Sequence, residues 1–175
     1  MATSLYDQSV AAYLQTLGAM SGILERGAAH CRDNNIDPES IVDTRLWSDM
    51  APFRFQIVSV AHHSLGAIEG VKKGQFGPPS DQRPHTYAEL QGVVAETREI
   101  LEALKPDEVN ALEGKEVIFQ IGQQFRVPFT AENFIMSFSL PNFYFHATTA
   151  YDILRSKGAP LGKRDFMGQM RMKTA

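Results

Sequence analysis

The sequence of 175 residues predicts an all-α protein: a four-helix bundle with one small β-hairpin inserted before the last helix. Two observations support this prediction. Apolar residues recur at i, i+3, i+4 and i+7 in four stretches, which is the spacing of a helix with one buried face. Between the third and fourth stretches the pattern changes to alternation, which is typical of a strand with one buried face. Because 43 % of the residues are hydrophobic, the chain can bury one continuous core, and we predict a single domain over residues 1–175.

The first helix is predicted between Ser4, whose side chain can cap the start, and Cys31. Its apolar stripe consists of Tyr6, Val10, Tyr13, Leu17, Met20, Leu24 and Ala28. Asn and Asp-Pro residues then break the pattern. For residues 36–50 we predict a loop that lies over the bundle, with Leu46 and Trp47 as its anchors.

The second helix is predicted over residues 52–71, because a proline in the first turn loses no hydrogen bond. Its inward stripe consists of Phe53, Ile57, Val60, Ser64, Ala67 and Val71. Glycines and prolines at 74–79 predict a long turn. Thr86 and Glu89 form a capping box that opens the third helix, and Pro106 ends it. The apolar face of this helix consists of Leu90, Val94, Thr97, Leu101 and Leu104.

The alternating stretch at 116–129 predicts a β-hairpin. A loop of three residues at 122–124 places all six apolar side chains on one face, whereas a loop of two residues would not. The predicted pairs are Ile121 with Phe125, Phe119 with Val127, and Val117 with Phe129. Pro128 cannot donate a ladder hydrogen bond, so its strand should lie at an edge.

The fourth helix is predicted from Thr130 to Lys157, followed by Gly158 and Pro160, which stop it. Its core face consists of Met136, Leu140, Phe143, Ala147, Ala150 and Leu154. A second apolar group lies on the opposite side and consists of Phe134, Phe138, Pro141 and Phe145. Such a helix must be covered on both sides. The cover is the hairpin, the C-terminal segment or a second copy of the chain, and we predict a homodimer because twofold association is common.

Two histidines are predicted to lie at the edges of apolar helix faces, His146 on the fourth helix and His63 on the second. Asn142 shares the flank of His146, whereas His62 is predicted to point away from His63. We expect an interior site bordered by His63, Asn142 and His146, binding a small molecule or a divalent metal such as zinc or nickel. His63 and His146 would be the metal ligands. The alternative is that both histidines are structural, because a catalytic zinc usually takes three protein ligands and only two are found.

The other two histidines, His30 and His85, lie near helix ends and are predicted to be surface or capping residues.

Charge and composition narrow the class of protein further. A net charge of −3 and a pI near 5.9 give no reason to expect binding to nucleic acid or an anionic membrane. No apolar run is long enough for a membrane span, and no signal peptide is evident. Cys31 is the only cysteine, which suits a reducing compartment, and we predict a cytoplasmic protein.

The stretch PNFYFHATTAYDILRSKGAPLGKRDFMG, together with VSVAHHSLGAIEG and YAELQ, resembles a family of uncharacterised bacterial proteins. That family, a domain of unknown function, is grouped within the DinB/YfiT-like superfamily of proposed metalloenzymes. The resemblance implies a DinB-like four-helix bundle, often dimeric, with a metal-dependent transferase or hydrolase activity in prospect. Many members of the superfamily bind metal through one histidine on the second helix and an H-x-x-x-H pair on the last.

By position, His63 and His146 match the first of these histidines and one member of the pair. The other member is absent, because Asn142 stands four residues before His146 and Ala150 four residues after it. The alternative function is that of a non-catalytic homodimeric helical protein whose histidines are structural.

Overall fold

The computed structural model describes residues 3–79 and 83–173, most of which lie in helices. The α-helices within these ranges are α1 (Leu5–Gln8), α2 (Val10–Asp33), α3 (Glu39–Val42), α4 (Phe53–Ala61), α5 (Ala67–Lys73), α6 (Tyr87–Glu102), α7 (Pro106–Asn110), α8 (Ala131–Phe134), α9 (Leu140–Ser156) and α10 (Lys163–Met167). Two π-helices, π1 (His62–Gly66) and π2 (Ile135–Ser139), join α4 to α5 and α8 to α9. The chain therefore contains two long helical runs, 53–73 and 131–156, each with a wider turn inside it.

The long helices pack around one cluster of buried apolar residues. Helix α4 contacts both α6 and α9, and helix α2 contacts the same two helices. The predicted inward stripe of the second helix is confirmed, because all six of its residues are buried. In α6, Leu90, Val94, Thr97 and Leu101 are buried as predicted. No helix within the described ranges is long and apolar enough to cross a membrane.

The helix ends follow the predicted capping chemistry. Ser4 accepts a hydrogen bond from the backbone of Asp7 at the start of α1. Thr86 and Glu89 form the predicted capping box at the start of α6. At the other end of the chain, Gly158 adopts a φ of 94°, the left-handed conformation that ends the last long helix.

The predicted core face of the fourth helix is wrong near the start of the helix. Met136 was placed on the core face, but it is 55 % exposed, whereas Ile135 and Ser139 are fully buried. The reason is π2, which spreads one turn over an extra residue and so rotates the preceding residues relative to those of α9. From Phe143 onwards the predicted face is buried.

A three-stranded sheet packs beside the helices, with the order β1 (Gln75–Phe76), β2 (Glu116–Ile121) and β3 (Phe125–Thr130). The predicted hairpin and its register are confirmed: Ile121 pairs with Phe125, Phe119 with Val127, and Val117 with Phe129. β3, which contains Pro128, lies at the edge as predicted. The all-α prediction missed β1, which runs parallel to β2 where a long turn was expected. With two residues, β1 is too short to show alternation in the sequence.

The connection between α2 and α4 is anchored differently from the prediction. Leu46 and Trp47 are 37 % and 71 % exposed, so they do not anchor it. Instead, α3 buries Ile41 and Val42 in the core. This loop is therefore held by two apolar residues just after the Asp-Pro turn. Helical periodicity gives no information within a loop, so it could not show that these residues are buried and Trp47 is not.

The second apolar side of the fourth helix is covered in part by the hairpin. The ring of Phe138 lies 4.6 Å from that of Phe119 and 6.2 Å from that of Phe129, measured between centroids. The C-terminal segment packs on α9 outside this group, with Phe166 edge-on against Tyr151. Phe145 remains 56 % exposed. The hairpin therefore leaves part of this side open.

Candidate functional site

His63 of π1 and His146 of α9 lie side by side between the two long helical runs. Their ring centroids are 5.7 Å apart, and the ring planes differ by 17°. The sequence placed each histidine at the edge of a helix face but could not show that the two helices are neighbours. Contact between α4 and α9, and between π1 and α9, brings the two rings together.

His62 belongs to the same cluster, contrary to the prediction that it points away. Its ring centroid lies 5.2 Å from that of His63 and 4.4 Å from that of Phe76, on which it stacks. His62 Nε2 lies 2.8 Å from the carbonyl oxygen of Gly77 and donates to it, because a carbonyl can only accept. The prediction failed because β1 and the residues after it fold back over this side of the helix and cover it.

Gln56 fixes the orientation and the tautomer of His146. Gln56 is buried, and its Nε2 donates to the carbonyl oxygen of Ala51 at 2.9 Å. The amide oxygen of Gln56 must therefore face His146, whose Nδ1 lies 2.7 Å away and donates to it. In the neutral imidazole the proton is then on Nδ1, and Nε2 carries a free lone pair. The sequence alone assigned no role to Gln56.

His63 is the most deeply buried of the three rings, with 8 % of its surface exposed. Within the described part of the chain, its Nδ1 is buried and has no hydrogen-bond partner. Buried polar atoms nearly always have a partner in folded proteins, so an unpartnered ring nitrogen calls for an explanation. A bound ligand or metal ion at this position would supply one.

All three imidazoles are neutral near pH 7. Burial, followed by the charged forms of His62 and His146, lowers the pKa of His63 from 6.5 to about 3. Burial and the charged form of His62 lower the pKa of His146 from 6.5 to about 4. Burial also lowers the pKa of His62, and the hydrogen bond to Gly77 opposes this effect. Neutral imidazoles keep the lone pairs that metal coordination requires.

Asn142 lies one helical turn before His146 and is half-buried. Its side-chain amide donates to the carbonyl oxygen of Phe138 at 2.7 Å, which is a bond within its own helical run. Phe138, Asn142 and His146 follow one another at intervals of four residues and so share one face. Among the described contacts, the Asn142 side chain makes no hydrogen bond to either imidazole, so its part in the site stays a prediction.

Aromatic side chains surround the histidines. Phe76 and Phe138 lie against His63, at centroid distances of 5.6 and 5.7 Å. Phe55 and Phe145 flank His146 at 5.8 and 5.3 Å, and they are 41 % and 56 % exposed. The outer rim of the site is therefore apolar and open to solvent.

A cavity of about 440 Å³ lies beside Phe55, in the size range of small-molecule sites. Its walls are formed by Pro52, Arg54, Phe55, Val58, Pro78, Pro79, Arg83 and His85. His85 was predicted to be a surface or capping residue, but it is only 5 % exposed. His30 does cap a helix end as predicted, with Nε2 3.2 Å from the carbonyl oxygen of Lys157. The cavity shares Phe55 with the histidine cluster, so the two are adjacent.

No group of three or more His, Cys, Asp or Glu side chains within residues 3–79 and 83–173 is arranged to hold a metal ion. The cluster thus offers two imidazoles, His63 and His146, whose lone pairs no hydrogen bond of the described residues occupies. His62 is committed to Gly77 through Nε2. The site can act as a bidentate nitrogen donor or as a buried proton acceptor.

Comparisons with known proteins agree with this fold. A family model described as "Domain of unknown function (DUF1993)" matches residues 5–167. Among solved structures, the chain is similar to a DinB family member protein from Shewanella denitrificans, with a TM-score of 0.81 and 24 % sequence identity over 98 % of this chain and 96 % of that chain. At this identity the likeness shows the fold alone. None of the curated proteins compared with the chain matches it.

Proposed function

The chain belongs to the family described as Domain of unknown function (DUF1993), and we propose that it binds a zinc or nickel ion, together with a small molecule, at its histidine cluster. In this proposal the long helices form a DinB-like four-helix bundle, and the site between them is bordered by His63, Asn142 and His146. His63 and His146 are the metal ligands. The activity that suits such a site is that of a metal-dependent transferase or hydrolase.

One observation carries the proposal: the ring centroids of two neutral imidazoles lie 5.7 Å apart, and each ring has a nitrogen atom that no hydrogen bond of the described residues uses. His63 Nδ1 is buried without a partner among the described residues. His146 donates through Nδ1 and so keeps Nε2 as an acceptor. A cation bound by both rings would satisfy these atoms without requiring either ring to be charged.

The separation of the rings suits a shared ion. Two imidazoles that bind one tetrahedral ion at about 2.0–2.1 Å have ring centroids roughly 5 Å apart. The observed separation of 5.7 Å is close to this value. Nitrogen donors favour zinc, nickel and copper over magnesium and calcium, which prefer oxygen. Two protein ligands also leave positions open for water or substrate.

The residues around the ligands have definite tasks in this proposal. Gln56 holds His146 in the tautomer that presents Nε2, as outer partners of metal-bound histidines usually do. Phe55 and Phe145 shield the rim, and the adjacent cavity of about 440 Å³ accommodates the organic molecule. When bound, the ion would supply Lewis acidity toward a water or a thiol.

The proposal is tested by metal analysis of the untagged protein. Bound transition metals are quantified by mass spectrometry, and zinc and nickel are then titrated into the metal-free protein by calorimetry. We expect His63→Ala and His146→Ala to weaken binding at least about 10-fold. His30→Ala serves as the matched control and should bind as the wild type does, since His30 belongs to α2 and its ring contacts Lys157 at the end of α9, away from the cluster. A wild-type protein that binds neither metal, or an equal loss in His30→Ala, would refute the proposal.

A second candidate function is that of a homodimeric helical protein with structural histidines. The observation in its favour is the apolar surface on the last long helical run, where Met136, Tyr144 and Phe145 are 55 %, 40 % and 56 % exposed. We expect light scattering to show a dimer that Phe145→Ser dissociates. Ile100→Ser, at a residue 40 % exposed on α6, is the control that should leave it intact. A wild-type monomer at micromolar concentration would exclude this function.

We further propose that the protein works in the cytoplasm. Cys31 is a buried free thiol, and its burial raises its pKa. A thiol that is neither paired nor readily ionised suits a reducing compartment. Fractionation of cells that produce the protein without a tag would test this assignment.

A further inference from the structure

Ser139 of π2 is linked to π1 and to α2 by two buried hydrogen bonds. Its hydroxyl donates to the backbone carbonyl oxygen of His63 at 2.6 Å. The hydroxyl of Tyr13 lies 2.7 Å from the oxygen of Ser139. Because the single proton of Ser139 is used on the carbonyl, which can only accept, Tyr13 must donate to Ser139. Tyr13 and Ser139 are both fully buried.

This chain of hydrogen bonds ends at the backbone carbonyl of His63, the residue whose ring nitrogen Nδ1 has no hydrogen bond among the described residues. Within the described residues, the imidazole of His63 makes no hydrogen bond that would orient it through Nδ1. Its direction is therefore set by its backbone position and by packing between Phe76 and Phe138. His146 differs, since Gln56 holds its ring directly.

Two successive residues of π2 thus act on His63. Phe138 contacts the ring at a centroid distance of 5.7 Å, and Ser139 holds the carbonyl group. Any shift of π2 relative to π1 would move the ring of His63 with respect to that of His146, which lies farther along the same helical run as π2. π-Helices are rare and often occur at functional sites, and here both lie at the cluster.

We infer that Ser139, held by Tyr13, is a positioning residue that fixes the imidazole of His63 against that of His146. This inference rests on the proposed function, because positioning matters only if the two rings act together on one ligand. Tyr13 suits the task of permanent donor, since burial raises its pKa and keeps it protonated.

The test compares Ser139→Ala with Ser9→Ala. Ser9 is a matched control because it is also fully buried and its hydroxyl also donates to a backbone carbonyl, that of Leu5, at 2.6 Å, but away from the cluster. The first readout is the set of NMR chemical shifts of the His63 and His146 ring protons in the metal-free protein near neutral pH, and the second is zinc affinity by calorimetry. In Ser139→Ala we expect the His63 ring signals to shift, because a looser π1–π2 contact moves this ring relative to those of Phe76, Phe138 and His146. We expect zinc affinity to fall about 10-fold or more.

Each result decides the inference. If Ser139→Ala folds and its His63 ring signals coincide with those of the wild type, or if Ser9→Ala shifts them equally, Ser139 has only a structural role. Should Ser139→Ala fail to fold, Tyr13→Phe removes one hydroxyl and keeps the ring. It should shift the His63 ring signals by a smaller amount, and unchanged signals would overturn the inference.

The same experiments separate this inference from the proposed function. A wild-type protein that binds no zinc refutes the proposed function, while the ring-proton chemical shifts still decide whether Ser139 positions His63. Zinc binding that is lost in His63→Ala but unchanged in Ser139→Ala refutes the positioning role alone.

Discussion

Acidification is expected to destabilise this fold through two histidines of the cluster, His63 and His146. The pKa of His63 falls from 6.5 to about 3 on folding, and that of His146 falls from 6.5 to about 4. Below about pH 6.5 the unfolded chain therefore binds protons that the folded protein does not bind. The stabilisation from the neutral rings is complete above that pH. It is lost progressively as the pH falls toward the pKa values of the folded state.

The magnitude follows from the shifts. Between the unfolded and folded pKa values, each ring costs about 1.4 kcal/mol of folding free energy per pH unit. Lowering the pH from 6.5 to about 5 therefore costs about 2 kcal/mol for each ring and about 4 kcal/mol for both. This is a large part of the roughly 5–15 kcal/mol by which domains are stable. His62 acts in the same direction, because burial lowers its pKa too.

Urea unfolding of the metal-free protein at about pH 7.5 and about pH 5 measures this loss. His63→Gln and His146→Gln should each show about half of the pH-dependent loss of the wild type, because each removes one of two titrating rings. His30→Gln serves as the control and should show the full loss, since His30 lies outside the cluster. The reasoning is refuted if His63→Gln loses as much stability between the two pH values as the wild type does.

Two further substitutions test the packing of the site. Gln56→Glu places a carboxylate beside His146 Nδ1, so the pKa of His146 should rise from about 4 by at least about one unit; an unchanged NMR titration would contradict the assigned hydrogen bond. Gly70→Ala would bring a Cβ within 2.9 Å of the Phe76 ring and should destabilise the protein by about 1–3 kcal/mol. Gly22→Ala, which meets no atom within 4 Å, should instead stabilise α2 by about 0.5–1 kcal/mol. If urea unfolding showed that both glycine variants change the free energy of unfolding in the same direction, close packing of β1 on the helix would not be the reason for a glycine at position 70.

The sequence by itself determined the buried faces of the helices and the register of the hairpin. Val60 and Val71 lie on the inward stripe because a regular helix repeats every 3.6 residues, a local property of the backbone. Phe119 faces Val127 because alternation leaves one pairing that buries every apolar side chain. It also placed His63 and His146 on the flanks of their helices, but it could not show that the rings meet.

Only the tertiary structure decided the composition of the histidine cluster. His62 joins it because β1 folds back over the helix and the carbonyl oxygen of Gly77 accepts a hydrogen bond from its ring. Met136 is exposed because π2 interrupts the period of 3.6 residues on which the predicted core face was based. Strand β1 has two residues and pairs with β2, which lies some forty residues later in the chain, so no local sequence pattern predicts it. No local pattern predicts the hydrogen bond between Ser139 and His63 either, because it joins two segments that are far apart in the chain and meet only when the helices pack.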